Sequence, residues 1–222
     1  ANKGACAHPC RWKYHLVEET RPGEYMPIEE NERGTYIYNS KDLCMLEHIP
    51  DLVDAGVVSL KIEGRMKTPF YVGTVIKAYR MAIDDYFESD EKYYKNIPLY
   101  MQEVSKASHR DYTTAFYYEK PDGNQQVYTN NSYIREYDFI GMIKQNSDEC
   151  NCAIVEQRNK FSVGEVIEVM PAKGNSFSMK VETMWNEQGE KILSAPHPQQ
   201  ILKVQFDRPV KEFDMMRKSV LE

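Results

Sequence analysis

The sequence predicts an α/β segment followed by an all-β segment, and three observations lead there. Between Val57 and Tyr86 a short apolar run gives way to apolar residues at helical spacing. From Tyr137 onward, short strand-like runs are separated by Gly, Asn or Pro. The 222 residues are 41% hydrophobic and 28% charged, which suits a packed globular chain.

Taking the elements in order, residues 1–15 hold Cys6, Cys10, Arg11 and Trp12. Residues 16–39 read as an extended excursion with turns near Pro22-Gly23 and Glu32-Arg33-Gly34. Ser40 is placed to cap a short helix carrying Cys44, and Pro50 begins a helical turn that Gly56 ends. Val57–Ile62 then reads as a short, mostly buried strand. The loop Glu63–Lys67 follows. Thr68 is a natural N-cap and Pro69 a natural first helical residue. Val72, Val75, Ile76, Tyr79, Ile83 and Tyr86 continue at helical spacing. This is one step of a parallel α/β fold, of the kind repeated in a (β/α) barrel.

Residues 88–135 are polar and rich in Tyr and Lys, with a short helix expected from Pro98 to Ser105. Beyond them, 139–143, 152–155, 166–169, 177–181 and 201–206 read as strands of a small β-barrel or sandwich.

The charge balance is −6, from 34 acidic and 28 basic side chains, which disfavours indiscriminate nucleic-acid binding. No run approaches the roughly 18 apolar residues of a membrane span. The five cysteines do not form a disulfide framework, so a reducing cytoplasm is the expected setting. The opening residues carry no signal-peptide core, and the chain reads as starting inside a larger protein.

By spacing alone, Cys6, Cys10 and Cys44 suit either thiolate ligation or small buried residues. Cys150 and Cys152 are a same-face pair that packing accounts for as readily as metal binding. Residues 57–80 hold five basic side chains, Lys61, Arg65, Lys67, Lys77 and Arg80, against one acid, Glu63. Cations beside a helix N-terminus suit a phosphate or carboxylate, and an ordinary solvated loop is the alternative. His109-Arg110 sits in a polar stretch, either as a phosphate contact or as structural residues. The 16 tyrosines include possible base-stacking residues but read mainly as strand and interface residues.

Three segments together resemble the peptidase U32 family: Asn2–Tyr14, Asn39–Cys44, and Lys61–Lys67 followed by Tyr71-Val72. A weaker fourth, Ser108–Tyr117, has Ala115 where the family pattern usually has Gly. The resemblance implies three parts. Residues 1–87 are the C-terminal remnant of a (β/α) barrel-like domain, 88–135 a connecting segment, and 136–222 a small β-barrel domain. It further implies an iron–sulfur cluster, of 4Fe–4S type, with Cys6 and Cys44 as two ligands and two more expected upstream. Lys61, Glu63, Arg65 and Lys67 are the implied rim of a substrate site. The implied activity is 5-hydroxylation of a tRNA anticodon uridine, with prephenate as the hydroxyl source and a second U32-family protein as a candidate partner. The chain by itself is expected to be inactive. The rival readings are a collagenase-like peptidase and a non-enzymatic RNA-binding or protein-interaction module.

Overall fold

The computed structural model describes residues 29–31, 34–36, 40–118 and 133–220. They fall into two compact units. One holds the described residues up to Glu47 together with those from His109 to Ile134; the other holds His48–Ser108 and the chain from Arg135 onward.

The first unit is built from short β pairings. Strands β1 (Glu29–Asn31) and β2 (Gly34–Tyr36) form a hairpin whose last pair is Asn31 with Gly34. Of the turn expected at 32–34, positions 32 and 33 lie outside the described residues. Strand β3 (Asp42–Leu43) runs parallel to a strand from much later in the chain, Tyr112–Thr113. Cys44 thus follows directly on a strand, and the Ser40-capped helix expected there is absent. Ser40 itself lies in a bridge, and the Asp42 and Cys44 backbone N–H groups donate to the Asp111 and Thr113 carbonyls instead of to a helical turn.

The second unit opens with helix α1 (Ile49–Asp54), which has Pro50 in its first turn. Its chain is turned by Gly56 at φ 81°, a conformation that glycine adopts without a Cβ clash. The strand expected at 57–62 does not form. A strand exists only by pairing, and no strand ladder among the described residues includes this run. It stays extended, with Val58 99% exposed. Together with α1 and the following helix it walls a groove of about 890 Å³, lined largely by apolar residues such as Leu52, Val57, Ile76 and Phe87.

Helix α2 (Pro69–Glu88) begins as expected. Thr68 Oγ1 accepts the Tyr71 N–H at 3.2 Å, and Pro69 occupies the first position. Ser89 ends α2 and caps α3 (Asp90–Ser105), accepting the Lys92 N–H at 3.2 Å. Helix α3 is twice the length expected, with Pro98 inside it. Its polar sequence hid a buried stripe of Tyr93, Tyr100, Glu103 and Val104. The hairpin is tied by Asp85, which accepts from the Tyr100 hydroxyl at 2.6 Å and Asn96 at 2.8 Å and pairs with Lys92 at 2.9 Å. Burial alone would raise the Asp85 carboxyl, but these three partners hold it below the usual range.

After strand β4 (Tyr112–Thr113, in the first unit) the chain returns to form β5 (Tyr137–Ile143), β6 (Cys152–Gln157), β7 (Phe161–Ser162), β8 (Val166–Met170), β9 (Phe177–Lys180), β10 (Met184–Trp185), β11 (Lys191–Ile192), β12 (Ser194–Ala195), β13 (Ile201–Gln205) and β14 (Met215–Ser219). Eight of these make one open, curled antiparallel sheet in the order β11-β10-β13-β6-β5-β14-β8-β9, while β12 pairs with β7. All five expected strand runs of this region are present. The shorter strands and β14 were not anticipated.

Alternation places Ile140, Val155, Ile167, Val169, Leu202, Val204 and Met216 in one core on the inner face. On β14, Met216 enters that core and the adjacent Arg217 points to the opposite face, yet both are fully buried. The sheet is covered on both sides there because α2 and α3 lie against β5, β14 and β8. Arg217 Nη2 reaches Glu103 of α3 at 2.8 Å and Glu168 of β8 at 2.6 Å.

Candidate functional site

The loop Glu63–Lys67 is a tight turn built onto the head of α2. Lys67 N–H donates to the Gly64 carbonyl at 2.9 Å, and Glu63 Oε1 accepts the Arg65 backbone N–H at 2.8 Å. Glu63 therefore orders the Arg65 backbone. Lys67 Nζ lies 4.8 Å from the Tyr71 ring centroid, a cation–π distance. Gly64 sits so close to the helix that a Cβ there would be 2.6 Å from Val72 Cγ2. Lys61, Glu63 and Arg65 are exposed and Lys67 is half-buried. Glu63, Arg65 and Lys67 thus share one ordered turn, with Lys61 two residues before it, so three cations and one carboxylate fall within seven residues of chain. That arrangement suits recognition of a carboxylate or phosphate.

The first unit holds the other candidate. The segments containing Cys44 and Ser108–Tyr117, read separately along the chain, meet in the parallel ladder that pairs Asp42 with Tyr112 and Leu43 with Thr113. Cys44 is buried, is not disulfide-bonded, and donates its backbone N–H to the Thr113 carbonyl at 2.9 Å. Asp42 accepts the Arg110 backbone N–H at 3.0 Å, and Arg110 Nη1 donates to the Ser40 carbonyl at 3.1 Å. The guanidinium lies 5.0 Å from the Tyr133 ring centroid. His109 is buried and stacked on Tyr112 at 4.5 Å. Its Nδ1 lies 2.7 Å from the Arg110 carbonyl, which can only accept, so Nδ1 is the donor in this contact. His109 and Arg110 are therefore ordered parts of the frame around Cys44. Sequence reading missed Asp42 as the partner of Arg110, and the signal for it was that both segments belong to recognisable motifs.

Ala115, just beyond this ladder, has φ 48° and donates its N–H to Thr113 Oγ1 at 3.0 Å. A left-handed non-glycine residue costs on the order of 1–2 kcal/mol, and this is the position where a glycine was expected. Ala115→Gly should therefore be neutral or stabilising by up to about 1 kcal/mol, where an ordinary Ala→Gly change in regular structure costs that much. Urea denaturation midpoints decide it, and a clear loss of stability would contradict the strain.

Cys6, with Cys10, Arg11 and Trp12, lies outside the described residues. Cys150 and Cys152 belong to a turn organised by Asp148, whose Oδ1 accepts both of their backbone N–H groups at 3.0 and 2.8 Å. Burial, then the Asp148 charge, pushes the Cys152 thiol up, which keeps it protonated. Among the described residues no three metal-ligating side chains come together. Of the tyrosines, Tyr93 and Tyr100 are fully buried core residues, whereas Tyr94 and Tyr117 are 57% exposed. No helix of the described residues is long and apolar enough to cross a membrane.

These features define a two-part class: an α/β segment carrying a cysteine motif and a basic turn, joined to an antiparallel β domain. Residues 1–127 match Peptidase family U32, and residues 135–217 match the Peptidase family U32 C-terminal domain. The chain belongs to peptidase family U32. It is 33% identical over 218 residues to tRNA hydroxylation protein P1 of Bacillus subtilis, covering 98% of this chain and 51% of that protein. It is 31% identical over 235 residues to tRNA hydroxylation protein P of Escherichia coli, covering 88% and 51%. An uncharacterized protease of Methanocaldococcus jannaschii is 35% identical over 171 residues, covering 75% and 40%. The chain spans about half the length of the curated relatives it matches.

Proposed function

We propose that this chain serves tRNA hydroxylation, forming 5-hydroxyuridine at the anticodon wobble position, as part of a longer U32-family protein. The observation that carries this reading is the similarity to tRNA hydroxylation protein P1, which runs through both family regions of the chain. In this reading Lys61, Arg65 and Lys67 hold the carboxylates of a prephenate-like donor, and Glu63 keeps the turn in shape. Residues 1–87 complete a (β/α) barrel-like domain with chain from outside these residues. The setting is the cytoplasm, with tRNA, and a second U32-family protein, as partners.

Cys44 suits one ligand of an iron–sulfur cluster, because its thiol is buried and sits on a backbone held by Thr113. Cys6 is the second proposed ligand, with the remaining ligands supplied from outside the chain. When bound, such a cluster supplies one-electron redox chemistry.

The test uses a Bacillus subtilis strain lacking its tRNA hydroxylation proteins. It is complemented with the full-length protein containing this chain, and digested tRNA is read by mass spectrometry. The intact protein should restore 5-hydroxyuridine. Cys44→Ser should abolish both the product and the iron bound after anaerobic reconstitution. Failure of the intact protein to restore the nucleoside, coupled with gelatin hydrolysis by the same preparation, would put the peptidase reading in its place.

A further inference from the structure

We infer that the antiparallel sheet acts as the positioning element for the Glu63–Lys67 turn, through the first two turns of α2. The inference rests on the proposed role of that turn as a ligand site. Phe70, Gly73, Thr74 and Lys77 follow the turn at spacings of three and four, so they share one face of the helix. Every one of them meets the β domain. Phe70 stacks on Phe139 of β5, with centroids 5.5 Å apart and planes within 6°. A Cβ on Gly73 would lie 2.9 Å from Met215 Cε of β14 and 3.6 Å from Met170 Cε of β8. Thr74 Oγ1 is 3.6 Å from Met170 Sδ. Lys77 Nζ donates to the Pro171 carbonyl at 2.9 Å and to Ser176 Oγ at 3.3 Å.

The turn is in turn referenced to the same helix. Gly64 packs on Val72, Lys67 lies over Tyr71, and Thr68 caps Tyr71. A helix transmits position because its backbone hydrogen bonds make it stiff over a few turns. Displacing α2 from the sheet therefore displaces the cations at its head. Phe139, Met170 and Met215 touch no candidate ligand group, so they are positioning residues. This gives the β domain a task of its own: it holds the substrate-site turn in register.

The experiment uses the full-length protein, with hydrogen-exchange mass spectrometry beside tRNA hydroxylation kinetics. Gly73→Leu wedges α2 off Met215, and Met215→Ala in the same chain restores the space. In Gly73→Leu, exchange in peptides spanning 61–68 should rise about tenfold while β6 and β13 keep their protection. The apparent KM for the donor should rise more than kcat falls, and Met215→Ala should reverse both changes. Phe139→Leu, a milder loss of the stack, should shift the same quantities in the same direction, and it serves if the wedge unfolds the chain. Unchanged exchange at 61–68 in both variants would overturn the inference whatever the protein catalyses. Faster exchange with unaltered donor KM would overturn it also, by showing that the turn is no donor site. A failed function reading looks different, since the unmutated protein would then form no 5-hydroxyuridine.

Discussion

Arg217→Met should lower the stability of the chain by about 3–5 kcal/mol, the range found when one partner of a buried ion pair is removed. Arg217 is fully buried, and its guanidinium joins β14 directly to α3 and β8. Its Nη2 lies 2.8 Å from Glu103, 2.6 Å from Glu168 and 3.3 Å from Ser176 Oγ. Its Cζ is 5.5 Å from the Tyr137 ring centroid. Without it, the buried Glu103 and half-buried Glu168 keep Lys106, at 3.3 and 2.9 Å, with Lys77 as a further nearby cation. Methionine keeps much of the volume, so the loss is electrostatic rather than a cavity.

Denaturant unfolding followed by tryptophan fluorescence measures this, with Trp185 on β10 as a reporter within the sheet. A loss below about 1 kcal/mol, the level of an exposed pair, would refute the buried-hub reading. Converting Glu103 and Glu168 to apolar residues in the same chain should recover most of the loss, since no charge is then left unpaired.

The pH dependence follows from Glu168. Burial by itself would raise its carboxyl, but Arg217 and then Lys106 outweigh burial and hold it below the usual range. Its folded value is thus lower than its unfolded value. The stabilisation is fully present above the ordinary glutamate range, about pH 4.3, and is lost as pH falls through the depressed folded value. Arg217→Met removes that acid limb, so the gap between the two proteins should narrow as pH falls.

In the proposed tRNA hydroxylation, Gly64→Ala is expected to lower the rate of the full-length protein about 100-fold, the scale of an ångström-level misplacement in a site. The added methyl would meet Val72 Cγ2 at 2.6 Å. Valine within a helix is held to one strongly preferred χ1 rotamer, so Val72 cannot swing away and the turn must lift instead. Arg65 and Lys67 move with it. Val72→Ala removes the obstructing methyls and should restore most of the activity to Gly64→Ala, with little effect alone. Full activity in Gly64→Ala, or no rescue by Val72→Ala, would show that the close approach does not set the turn.

The elements that proved legible in the sequence are those whose causes are local. The cap at Thr68, the proline at 69 and the apolar spacing through Tyr86 act within a few residues of one another, and α2 appears where they place it. The five longer apolar strand runs are likewise self-announcing, because alternation against one core is written into each run. For the candidate site, the Glu63–Lys67 turn was readable as a unit, since it is punctuated by Gly64 and closed by the helix cap.

What sequence reading missed depends on distant partners. The run 57–62 has strand composition but no described ladder to join, so composition alone misassigned it. Strand β14 was hidden because Arg217 and Lys218 break its apolar pattern. Arg217 is tolerable inside only where Glu103, 114 residues away, and Glu168 meet it. Helix α3 was shortened for the same reason, since its polar residues are buried against groups elsewhere in the chain.

By itself, then, the sequence determined the family motifs, the head of α2 and the inner faces of the main strands. These follow from hydrogen-bond caps and hydrophobic periodicity over short spans. Tertiary structure alone decided that Cys44 lies beside Thr113, that an arginine forms part of the interior, and that the sheet bears on the helix carrying the basic turn. Each of these depends on pairing and desolvation between residues far apart in the chain, where neither partner predicts the other.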